Sequence, residues 1–137
     1  NTEPSNPSVR AGYTSGGGGW YGSVFRENFD TVAITHRKYE LLRFWLLGTW
    51  MADQLGVDFH LVNLVLEKRE KAIEAAFSPL IQQDEHRRFS RQTWEGIYHW
   101  LMAKNIPGRD TQRLLAYFKT HTRGYNQKQQ LQRAFNL

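Results

Sequence analysis

The 137-residue sequence contains no cysteine. That excludes disulfide bridges and thiolate-held zinc, and it is compatible with a reducing cytoplasm. A hydrophobic run long enough to cross a bilayer is also missing. The longest, residues 44–51 (FWLLGTWM), is interrupted by Gly48 and Thr49 and flanked by Arg43 and Asp53. The first residues, NTEPSNPSVR, are polar and proline-bearing, unlike a secretory leader. The expectation is a cytoplasmic protein with no membrane partner. Acidic residues are scarce at one end. Residues 103–137 carry seven Lys and Arg against Asp110 alone, a balance of +6, whereas residues 1–102 carry 11 against 12, a balance of −1. The net charge of +5 therefore resides in the tail. A basic segment beside a neutral body attracts phosphate backbones or an acidic protein, and a solvated terminus of no specific role is the plainer alternative.

What is present argues for a packed body. With 40% hydrophobic and 14% aromatic residues, five of them Trp, the chain has the material for one sizeable core. Residues 1–35 are expected to be a Gly- and Pro-rich loop segment. They contain four successive glycines, Gly16 to Gly19, which act as a flexible linker or let the backbone approach something closely. No Lys-Ser/Thr pair follows, so a phosphate-cradling loop is a poor fit. WYGSVF and FDTVAI, starting at Trp20 and Phe29, are compatible with short extended pieces.

Residues 36–102 read as an α/β core. A helix is expected after Thr35, with Leu42, Trp45, Leu46, Trp50 and Met51 at helical spacing and Gly56 as its stop. Next comes FHLVNLVL at residues 59–66, apolar except for His60 and Asn63, the pattern of a strand buried on both faces with a neighbour on each side. Ala72, Ile73, Ala76, Phe77 and Leu80 mark a second helix, and RRFSRQ at residues 87–92 an edge-like strand. Thr93 caps a third helix carrying Trp94, Ile97, Tyr98, Leu101 and Met102. Residues 103–137 are expected to be a basic helical segment, with a helix capped by Asp110, packed through Leu114, Leu115 and Phe118 and ended by Gly124. Beyond it Leu131, Ala134 and Phe135 are possible anchors. The fold class that results is α/β: helices on a small mixed sheet, with a helix-rich C-terminus. The remaining strands must come from residues 20–34, from a partner chain, or from upstream sequence.

NTEP at the start, WYGSVF, the helix opening HRKYELLRFWLL, the strand DFHLVNLVLE and FSRQTWEGIYHWL together resemble the second half of a PD-(D/E)XK nuclease domain, the restriction-endonuclease-like superfamily. The resemblance covers roughly residues 1–101. It implies the later part of an α/β/α core and Mg²⁺-dependent cleavage of DNA, with an Asp and a Glu-x-Lys holding the metal. No Glu-x-Lys strand stands in this chain. EKREK at residues 67–71 follows the apolar strand and reads as the start of a helix. The resemblance thus implies a non-catalytic half that supplies scaffold and DNA-backbone contacts, with Mg²⁺ bound only once an upstream segment or partner chain adds the missing residues. Glu40, where the family has a Gln, is then an accessory carboxylate, or a surface group paired with Arg37 or Arg43. Glu3 has the same two readings.

The alternative is a small basic module docking nucleic acid or an acidic protein. Candidate DNA contacts are Arg87, Arg88 and Arg91 on the charged strand and Lys104, Arg109, Arg113, Lys119, Arg123 and Lys128 towards the tail, with Arg133 beyond. The histidines, His36, His60, His86, His99 and His121, lack metal-ligand spacing, and no metal site is expected. His60 on an apolar strand reads as a hydrogen-bonded core residue. "DEH" at residues 84–86 reads as a solvated loop before a cation site. Trp45, Trp50, Trp94 and Trp100 fall at helical spacing and read as packing ahead of base-stacking platforms.

Overall fold

The computed structural model describes residues 3–121, 123–125 and 127–133. Packing divides the chain into two compact units: residues 1–62 with 72–90, and residues 63–71 with 91–137. The architecture is mixed α/β, dominated by helix.

In the first unit the expected N-terminal loop is instead helical. Helix α1, Pro7–Gly19, starts where the Asn6 side chain accepts the Ser8 N–H at 3.0 Å and Pro7 occupies the first turn. The glycine run then breaks the helical path at Gly16, Gly17 and Gly18. The two pieces read as extended are also turns of helix, α2 (Tyr21–Val24) and a π-helical turn at Thr31–Thr35. Their buried residues explain why: Tyr21, Val24 and Phe25, then Phe29, Val32 and Ala33, recur at i, i+3, i+4 rather than in alternation. Only Phe25 behaves as extended chain, bridging Ile81.

Helix α3 (Tyr39–Leu55) begins three residues later than a Thr35 cap suggested and ends at Gly56, which adopts the left-handed conformation. It buries Leu42, Trp45, Thr49 and Ala52. Trp45 is fully enclosed and donates its indole N–H to the Val24 carbonyl at 3.0 Å. Trp50 and Met51, expected on that face, are substantially exposed.

Strand β1 (Phe59–Val65) is followed by the short helix α4 (Ile73–Phe77), a 3₁₀ turn at Ser78–Leu80, and strand β2 (Arg87–Thr93). The two strands form a two-stranded sheet. They run the same way, because the Phe59 N–H donates to the His86 carbonyl while, past the far ends, the Glu67 N–H donates to the Glu95 carboxylate. The expectation of a central strand with two neighbours is overturned: among the described residues β1 pairs with β2 alone. Its composition misled because in its first half only one face is covered. Phe59 and Leu61 pack on the first core, while His60 and Val62 are exposed.

In the second unit helix α5 (Trp94–Lys104) is capped by Thr93, whose Oγ1 accepts the Gly96 N–H at 2.9 Å, and stops at Asn105 in the left-handed conformation. Helix α6 (Arg109–His121) follows with Asp110 in its first turn. Tyr98 and Phe118 form the buried centre of this unit, with Leu66, Ile97, Leu101 and Leu115 around them. Met102, expected among them, is exposed. The C-terminal segment is not helical throughout. Gly124 lies in strand β3 (Arg123–Tyr125), which pairs antiparallel with β4 (Leu131–Arg133), placing Arg123 opposite Arg133. Ala134 and Phe135 lie outside the described residues.

Candidate nucleic-acid interface

Helix α6 separates its chemistry by face. Thr111 and Leu115 are half-buried and Phe118 is buried, whereas Arg109, Gln112, Arg113, Ala116 and Lys119 are exposed. At about 100° per residue the first set spans one side of the helix, Arg109 and Arg113 fall on the other, and Lys119, one turn after Leu115, lies on a flank between them. Asp110, the acidic residue in this stretch, lies by the same count one turn before Arg113, on the flank that also carries Leu114 and Tyr117. Lys104 lies in the last turn of α5, where a cation also complements the helix dipole. None of Lys104, Arg109, Arg113 and Lys119 makes an ion pair among the described residues. The described ion pairs fall in the first unit instead, as Arg10–Asp30, Arg43–Glu40, Arg87–Asp84 and His86 with Asp58 and Glu85. Lys128 sits exposed between β3 and β4, and the side chain of Arg123 lies outside the described residues.

The three arginines of β2 have different fates. Arg87 is held by Asp84 at 2.8 Å and lies over the Trp20 ring. Burial alone would raise the Asp84 carboxyl, but hydrogen bonds from the Arg87 side chain and from backbone N–H groups outweigh it and hold it below the ordinary range. Arg91 turns its guanidinium onto the chain after β1, donating to the Glu67 carbonyl at 2.6 Å and the Arg69 carbonyl at 2.8 Å. Both are engaged within the molecule. Arg88 is exposed, beside a recess lined by Asp58, His60, Glu85 and His86.

The carboxylates considered for metal do not converge. Glu40 is an exposed first-turn residue of α3, 3.3 Å from Arg43, and Glu3 is exposed ahead of α1. Among the described residues no group of three His, Asp or Glu side chains is placed to hold a metal ion. His60 is exposed rather than in the core, with Nε2 2.9 Å from Ser90 Oγ. His86 Nδ1 lies 2.9 Å from Asp58, and that hydrogen bond raises its pKa above the ordinary histidine value.

Trp100, read from the sequence as packing, is 54% exposed, and Tyr117, which the sequence reading did not single out, is 57% exposed. The signal for Trp100 was available, since it stands outside the Trp94, Ile97, Tyr98 and Leu101 stripe and one turn before Lys104.

Compared with known proteins, the chain matches no protein-family model, no curated protein and no solved structure. Among the described residues no helix is long and apolar enough to cross a membrane.

Proposed function

We propose that this chain is a binding module for nucleic-acid backbones, with the outer face of α6 and Lys104 as its contact surface. The observation that carries this reading is the set of exposed cations Arg109, Arg113 and Lys119, free of ion pairs among the described residues, with Arg109 and Arg113 on the side of α6 away from Leu115 and Phe118 and Lys119 on its flank. Cations without internal partners keep their full charge for phosphates, and counterion release then drives association. Four phosphate contacts on duplex DNA give log affinity against log salt a slope of roughly −4, at about −0.9 per phosphate. The combined variant R109E/R113E/K119E should weaken binding strongly and flatten the slope to roughly −1. A salt titration of both proteins on a labelled duplex is the test. Affinity indifferent to salt, or untouched in the variant, overturns the reading.

A second reading keeps the resemblance to PD-(D/E)XK nucleases and treats the chain as the later, non-catalytic half of such a domain. What favours it is the parallel β1–α4–β2 unit with the second edge of β1 unpaired among the described residues, an edge that a strand from an upstream segment or a partner chain would fit. The metal-holding residues then belong to that other segment.

A further inference from the structure

We propose that the nucleic acid this module prefers is single-stranded, with Trp100 as a stacking platform for an unpaired base; the inference rests on the backbone-binding reading above. Trp100 is exposed although tryptophan is costly to leave in water, and Lys104 lies one turn further along the same side of α5. On α6 the exposed Tyr117 stands one turn after Arg113. An aromatic face beside a cation is what an unpaired nucleotide requires, because the base offers a π-surface and its phosphate a charge. A duplex hides its bases in the stack and uses only the cations.

The two pairs share one flank. Trp94 at the start of α5 meets Phe118 near the end of α6, with ring centroids 5.9 Å apart, so the helices are antiparallel. Counted at about 100° per residue from each helix's packed face, Trp100 and Tyr117 are displaced in the same sense. In an antiparallel pair that is the same side of the hairpin. Leu114, also exposed, lies on that flank beside Tyr117 and extends its apolar strip.

Binding of fluorescein-labelled oligothymidylate and of a duplex with the same number of phosphates, at one salt concentration, separates the possibilities. The expected result is tighter binding of the single strand, a loss of about tenfold or more for Trp100→Ala on that strand alone, and retention in Trp100→Phe, which keeps a ring. The salt slope stays unchanged, and circular dichroism verifies that the exposed substitution leaves the fold intact. Equal binding of both nucleic acids, with Trp100→Ala neutral or equally harmful to both, overturns the stacking inference and leaves backbone binding standing. No binding of either at low salt removes both readings. Polyglutamate bound as tightly, with the same sensitivity to Trp100, assigns the surface to an acidic protein instead.

Discussion

At the scale of single residues, two glycines show how the same substitution changes sign with its surroundings. A Cβ on Gly48 would overlap the Phe59 ring, and Phe59 itself packs on Trp45 with centroids 5.8 Å apart. The ring has little room to withdraw. Gly48→Ala should therefore destabilise the protein by about 1–3 kcal/mol through overpacking, even after the helix-propensity gain of about 1 kcal/mol. Gly12, inside α1, has nothing within 4 Å of such a Cβ. Gly12→Ala should stabilise by about 0.5–1 kcal/mol. Urea denaturation of the two variants checks both, and equal signs would refute the packing account. Gly17 answers the question posed by the glycine run. Its φ is +59°, and a Cβ there would lie 2.9 Å from the Trp50 indole, so the run lets α1 turn closely over α3.

At the scale of elements, β2 engages Arg87 and Arg91 within the molecule, whereas the proposed contact surface takes its cations from α6. Arg91 closes the turn after β1 through the carbonyls of Leu66, Glu67 and Arg69. Removing it frees acceptors that a charged donor had satisfied, at a cost of about 1.5–3 kcal/mol. Arg91→Ala should thus lower the urea midpoint while leaving affinity for duplex DNA nearly unchanged under conditions where it remains folded. The α6 variant should do the opposite. A loss of DNA affinity in Arg91→Ala as large as that in R109E/R113E/K119E would return β2 to the interface.

At the scale of the whole molecule, chemistry is limited by what the chain brings together. Glu40 is engaged with Arg43, and the described carboxylates and histidines do not assemble around a metal position. The chain by itself should show no Mg²⁺-dependent cleavage of duplex DNA when incubated with a supercoiled plasmid. Cutting that is abolished by Glu40→Ala would place a catalytic centre here and revive an enzymatic reading of this chain alone.

Local pattern determined much of this protein. The stop of α3 at Gly56, the Thr93 cap, the amphipathic phase of α5 and the charge of the C-terminal segment follow from neighbouring residues, because capping and helical periodicity act over one or two turns. The N-terminal helices were obscured by glycine, proline and serine content, although the buried residues 21, 24, 25, 29, 32 and 33 already held the helical period. Tertiary structure decided the rest. An apolar octapeptide at residues 59–66 has the same composition whether one face or two are covered, and only the placement of α3 beside it determines that Phe59 and Leu61 are packed while Val62 is not. Arginine is equally ambiguous in sequence: Arg91 meets three carbonyls across a turn and Arg113 meets none among the described residues, because a side chain's partners depend on which distant backbone its helix or strand is laid against.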